Sequence, residues 1–285
     1  MNSDRKRRDK LRASAATIPG YLLLILWLAF TVTVVGWISL ASLSTTREIF
    51  SGKLLHTGFH FENYERALFK NNVALYLFNS LIYTLSSSIL ILAICIPASY
   101  VLSRFQFRGN KLIQYLFVAG QGIPVVMIVM PLFAIAVRAN LLNSRGTLIF
   151  LYITTNIPFT AYFLINFFRN IPTGIEEAAC IDGCTNDQVL WQIMLPMASP
   201  GILTVTIFNF ITIWNEYFIS LTFINKSDLR QAGVGLYSMV QSMVYTGDWS
   251  GLFASVMLIF LPTFILYLFL SQYIIGGVTA GSIKG

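Results

Sequence analysis

Charge is what this sequence has least of. Only 11% of its 285 residues are charged and 56% are hydrophobic, whereas a soluble domain carries roughly a quarter charged residues. Water is therefore not its main solvent. Histidine numbers two, His56 and His60, both in one segment, so no credible catalytic triad can be assembled. No Gly-x4-Gly-Lys-Ser/Thr phosphate loop occurs, and the chain is not expected to hydrolyse ATP itself. Three cysteines give no disulfide framework. Cys95 lies in an apolar run, and Cys180 and Cys184 stand four apart with no third ligand nearby. No metal is expected, and no cofactor bound by this chain.

What is present is long uncharged sequence. Between successive charges run residues 13–46, 71–103, 112–137, 146–168, 188–215 and 249–283, each longer than the roughly 20 residues that cross a bilayer as a helix. The expected fold is an all-α membrane protein of six transmembrane helices, at about 18–40, 75–102, 112–136, 146–168, 199–222 and 252–275. The net charge of +7 does not mean nucleic acid. Six of the 19 basic residues fall in the first twelve positions, directly before the first apolar run, where a positive-inside anchor belongs. A cleaved signal peptide would need a small-residue cleavage site, and no clear one follows. With six spans both termini are expected inside a bacterial or archaeal cell membrane. Arg104, Arg108 and Lys111 then also face the cytoplasm, as the charge bias of short loops requires.

Residues 1–74 read as a basic N-terminus, a first helix and an outer segment that forms a short structured cap; residues 75–285 read as a five-span core. Pro97, Pro124, Pro131, Pro158 and Pro262 fall within spans, where a missing backbone donor kinks a helix. Gly120-Gln121-Gly122 interrupts the third span. That interruption reads either as a pore-facing bend or as close packing through small residues.

The longest inner loop, 169–198, differs from its surroundings. Thr173 and Glu176 have the spacing of a capping box, and Thr185 and Gln188 repeat it. Gly183 between them suits the left-handed turn that ends a helix, and Pro196 is expected to stop the second helix. The loop should therefore hold two short helices joined by a tight turn, either a knob that docks into another protein or an ordinary amphipathic connector.

The residues themselves narrow that choice. Glu177-Ala178-Ala179, three residues, Gly183, nine residues, then Ile193-Met194-Leu195-Pro196 closely resembles the EAA loop of binding-protein-dependent ABC importer permeases. Asp182 before the glycine is also common there, and Cys180 and Cys184 are mild departures. The resemblance implies a type I importer permease core with cytoplasmic coupling helices at 173–196, inserted into a cleft of a separate ATPase dimer that carries the ATP and Mg. By that likeness Glu176 and Glu177 would face the ATPase, Ala178 and Ala179 would permit close approach, and Gly183 would form the turn. Asp182, Ile193, Leu195 and Pro196 complete the coupling set.

Trp214-Asn215-Glu216-Tyr217-Phe218 and the ending from Gly276 to Gly285 resemble stretches of the carbohydrate-uptake branch, in its maltose-type second permeases. The implied partners are a second permease forming a heterodimer, the ATPase dimer, an extracytoplasmic solute-binding protein, a sugar or oligosaccharide, and membrane lipid. Segment 223–251 is the expected contact for the binding protein. Gln121, Asn209, Thr212, Asn215 and Glu216 are candidates for the translocation pathway or gate, with Asn209, Thr212 and Glu216 at the spacing of one helical stripe. Glu216 has a structural reading as well, since it falls near the outer interface. Against an importer stands an ion-coupled secondary transporter, which needs charged residues inside several spans; Glu216 is the single candidate. A membrane-embedded enzyme would need clustered catalytic residues near one interface, and none appears.

Overall fold

A computed structural model of the chain describes the backbone of residues 2–280, with side chains described for 17–243 and 245–269. The basic side chains before residue 13 and the ending from Gly281 onward lie outside the described residues. Every regular element among the described residues is helical. Two compact bodies form: Met1–Lys70 with Met243–Met257, and Asn71–Ser242 with Leu258–Gly285.

The first body opens with α1 (Asn2–Ser42), whose side chains from Ile18 to Val32 are largely exposed, as suits a helix surrounded by lipid. The expected cap follows it as α2 (Thr46–Ser51), α3 (Glu62–Glu65) and a π-helical turn, Arg66–Lys70. Glu48 organises this cap. It completes a capping box with Thr45 at the start of α2 and also accepts from the Thr57 amide at 2.6 Å and hydroxyl at 2.8 Å. The backbone amides of Thr45 and Thr57 hold its carboxyl down to about 2, because hydrogen bonds to the ionised form favour it.

The second body is the helical core. It comprises α4 (Val73–Arg104), α5 (Asn110–Gln121), α6 (Val125–Arg138), α7 (Arg145–Asn170), α8 (Gly174–Ile181), α9 (Asn186–Gln188), α10 (Leu195–Trp214) and α11 (Phe218–Phe223). A 3-10 turn, Ser227–Leu229, precedes α12 (Ala232–Thr246) and α13 (Trp249–Ala280), both of which run across the division between the bodies. The most extensive packing is α4 on α7, with α10 against both. Tyr83, Ile91, Tyr152, Leu164, Phe168 and Val205 form its buried centre. Gly201 lets α10 approach α7 closely, since a Cβ there would fall 2.4 Å from the Phe167 ring.

Among the described residues, five helices are long and apolar enough to cross a membrane, or six if α5 and α6 count as one broken span. Residues 112–136 are thus not one straight helix: α5 and α6 meet at 97°. Pro124 cannot donate to the preceding turn, and the residue before it is pushed out of the helical region. Gly120 also packs, its would-be Cβ 3.4 Å from Pro158. The span expected at 199–222 begins earlier and ends sooner, at Asn186–Trp214. Pro196 does not stop it. A π-helical turn, Val189–Met194, carries the helix into α10 with Pro196 at its start. There a wider turn and a residue without an amide fit together. Helix α12 occupies sequence read as an outer loop.

Candidate functional site

The segment from Ile171 to Pro196 forms the expected pair of short helices. At the end of α8, Gly183 takes φ +87°, a left-handed conformation that costs glycine nothing and other residues strain. The Cys184 amide then donates to the Ala179 carbonyl at 3.0 Å and the Gly183 amide to the Cys180 carbonyl at 3.1 Å, which closes the helix end with both bonds of a Schellman turn. The following helix begins with the anticipated Thr185/Gln188 capping box. The anticipated box at Thr173 is absent. Thr173, just before α8, has its backbone in the αR rather than the extended region and makes no side-chain cap, and Glu176 is engaged elsewhere.

Arg104, the last residue of α4, holds that glutamate. Its Nε lies 2.6 Å from Glu176 Oε1, and a second guanidinium nitrogen donates to the Ile171 carbonyl at 2.7 Å. The Tyr100 hydroxyl reaches Glu176 Oε2 at 3.5 Å. Both charged side chains are largely enclosed, at 9% and 15% exposure. Of the two glutamates expected to face outward, Glu176 therefore turns into its own chain and Glu177 is exposed.

The other residues of the motif divide the same way. Ala178, Asp182 and Gly183 are exposed and Ala179 is buried in the core, with Ile193 and Leu195 packed against that core and Pro196 exposed. Ile181 had not been singled out from the sequence, yet it is 86% exposed beside the turn. With Glu177 and Ala178 it makes a small protruding face, apolar at its tip and acidic at its flanks. Trp191, also exposed, stands on the helix that follows.

A second polar cluster stands where α10 breaks. Glu216 is off the helix and accepts from the Ile219 and Ser220 amides at 2.7 and 3.2 Å, which caps α11 at its start. The Tyr152 hydroxyl of α7 donates to Glu216 at 2.9 Å and also contacts the Gln231 side chain, which donates to the Ile213 carbonyl at 3.3 Å. The stripe expected from Asn209, Thr212 and Glu216 is not one face. Asn209 is buried and accepts from Thr160 at 3.1 Å, whereas Thr212 is exposed and Glu216 lies past the break. Asn215 and Gln121 are exposed and bond only to carbonyls one turn back. A cavity of about 490 Å³ lies at the α5–α6 bend against α7, lined by residues including Gly120, Met127, Pro131, Phe150, Thr154 and Pro158. None of the five pathway candidates lines it.

Comparison with known proteins agrees with this geometry. The profile of the binding-protein-dependent transport system inner membrane component matches residues 95–279. The diacetylchitobiose uptake system permease protein NgcG of Streptomyces coelicolor is 36% identical over 93% of this chain and 88% of its own length. The sulfoquinovosyl glycerol transport system permease protein SmoH of Agrobacterium fabrum is 34% identical over 78% of each chain. The trehalose transport system permease protein SugB of Mycobacterium tuberculosis is 29% identical over 91% and 97%. Among solved structures, a bacterial ABC transporter involved in import of the acidic polysaccharide alginate superposes with a TM-score of 0.78, at 22% identity, over 91% of this chain and 96% of that one. That likeness is one of fold.

Proposed function

The chain belongs to the family of binding-protein-dependent transport system inner membrane components, and from that premise we propose that it is a membrane permease subunit of an ATP-driven sugar or oligosaccharide importer. The protruding α8 turn carries this reading. It is a rigid, locally closed structure that presents Glu177, Ala178, Ile181 and Asp182 outward and has the chemistry of a ball that seats in a partner's cleft. That partner is a cytoplasmic ATPase dimer, which binds ATP and Mg and does the hydrolysis. A second permease completes the pathway in a heterodimer, and an extracytoplasmic solute-binding protein delivers the sugar. The N- and C-termini then lie in the cytoplasm. The carbohydrate assignment is supported by relatives named for diacetylchitobiose, trehalose and sulfoquinovosyl glycerol.

The native Cys180, exposed on α8, makes the test direct. In membranes holding the assembled complex, a maleimide–benzophenone reagent attached to the Cys180 thiol should, on illumination, insert into a C–H bond of the ATPase subunit, and Cys180→Ser should abolish the product. Reconstitution with diacetylchitobiose, trehalose and sulfoquinovosyl glycerol in turn should find one that raises ATP turnover in the presence of its binding protein. A Cys180 with no ATPase within reach overturns the reading.

A further inference from the structure

We propose that α4 acts as a push-rod, driven at one end through the Arg104–Glu176 pair and delivering its movement at the other end to segment 227–232. This inference rests on the reading of α8 as the ATPase contact and goes beyond it, to the route the movement takes.

Four routes lead out of α8, two along the chain and two lateral. Toward α7 the chain passes through Ile171, which is extended at φ −78° and ψ +127°, so no continuous helix transmits force there. Toward α10 it passes through the Schellman turn and then the π-helical turn, a locally widened stretch, and the direct packing of α8 on that turn leads into the same stretch. The fourth route runs laterally to α4. Arg104 bonds Glu176 on α8 and the Ile171 carbonyl in the extended stretch at once, bridging the soft joint with a planar guanidinium that fixes direction as well as distance. An enclosed pair of this kind resists separation, since pulling it apart leaves an uncompensated buried charge.

The far end of the same helix is clasped as firmly. Asn79 donates to the Asp228 and Arg230 carbonyls at 2.8 and 3.1 Å, and Tyr83 donates to the Leu229 carbonyl at 2.9 Å. The Ala232 amide donates to Ser80 at 2.9 Å, and Arg145 donates to Asn79 at 2.9 Å. Three consecutive carbonyls and the first amide of α12 are thus bound to one face of α4. From Asn79 to Arg104 the helix rises about 38 Å at 1.5 Å per residue. It is one continuous helix, with a backbone donor missing at Pro97, and it carries polar clamps at both ends with α7 and α10 packed against it between them. Segment 227–232 itself contains Gln231, which touches Tyr152 in the Glu216 cluster.

The test reads segment 227–232 without needing the transported sugar. In the assembled complex, with Cys180 and Cys184 replaced by serine and Ser227→Cys introduced at an exposed position, the maleimide labelling rate of residue 227 is measured with and without MgATP. MgATP should change that rate roughly tenfold, within the usual range of coupling between distant sites. Arg104→Ala should reduce the response to about twofold or less while the ATPase still co-purifies and still turns over ATP, because the exposed α8 face is untouched. The charge-swapped pair Arg104→Glu with Glu176→Arg should recover most of it. Should Arg104→Ala destabilise the chain, Asn79→Ala provides the same test from the other end. A full response in Arg104→Ala or in Asn79→Ala overturns the proposal, as does absence of any response in the parent. Failure of the Cys180 crosslink in the native chain would instead remove the docking reading beneath it.

Discussion

Two enclosed glutamates sit at opposite ends of the core's polar wiring and are satisfied in opposite ways. Glu176 faces a cation, with Arg104 at 2.6 Å. Glu216 has no cation among its hydrogen-bond partners, which are the Tyr152 hydroxyl and the amides of Ile219 and Ser220. A charge pair is strong at contact and leaves two costly orphans when it parts, which suits a joint that must move as one piece. A carboxylate that caps a helix start fixes local backbone and tolerates loss of its charge better than loss of its oxygens. The same side chain thus serves as a coupling at one place and as a peg at another.

The comparison can be broken most forcefully at the α8 turn. Gly183→Pro demands φ near −65° where the chain needs +87°, at a cost of about 3 kcal/mol or more. It should abolish sugar-stimulated ATP turnover and uptake in the reconstituted complex. Glu177→Lys, which leaves the fold intact, should lower both strongly; wild-type turnover in either variant would mean that this face does not dock.

At the other pole, Glu216→Ala leaves the Ile219 and Ser220 amides unpaired and the Tyr152 hydroxyl with Gln231 alone, at about 1–3 kcal/mol for each buried group left without a partner. It should lower the melting temperature of the detergent-solubilised chain clearly. Glu216→Gln keeps an acceptor oxygen and should cost only about 1 kcal/mol. If Glu216→Gln abolishes transport as fully as Glu216→Ala, the peg description fails and the charge itself is needed. At Gly201, a valine would meet the Phe167 ring, and we expect a loss of about 1–3 kcal/mol from overpacking, read as reduced monodisperse yield on gel filtration.

The smallest effect is confined to the cap. Glu48 ionises more readily folded than unfolded, with its carboxyl held down to about 2 from 4.5. Its stabilisation is therefore fully present above about pH 4.5 and fades as pH falls towards 2. Amide exchange over 44–60, corrected for intrinsic rates, should accelerate across that window, and Glu48→Gln should flatten the dependence.

How far the sequence speaks for itself follows the range of the forces involved. The spans were legible because desolvation excludes charge from a long window, and Arg104, Arg145 and Asn170 stand within two residues of the expected ends. The Gly183 turn and the Thr185/Gln188 box were legible because their partners lie within five residues. The Thr173 box failed for the converse reason: Arg104, 72 positions earlier, competes for Glu176 and wins, since an ion pair outbids a neutral cap. The break after Trp214 was hidden because hydropathy registers composition and not direction. Helix α12 was missed because Gly233 and Gly235 look like turn residues, whereas Gly235 is needed where Tyr76 presses on the helix, its would-be Cβ 2.2 Å from that ring.

The 97° bend between α5 and α6 sets a requirement on whatever surrounds it. Helices of 12 and 14 residues measure about 18 and 21 Å at 1.5 Å per residue, and neither reaches across roughly 30 Å of hydrocarbon alone. Between them Pro124 has no amide to offer, and the last carbonyls of α5 have no next turn to receive them. Oil is a poor neighbour for such groups, so Gly122–Pro124 has to be sheltered by protein or wetted. The membrane is thereby denied a continuous wall at this point in the chain.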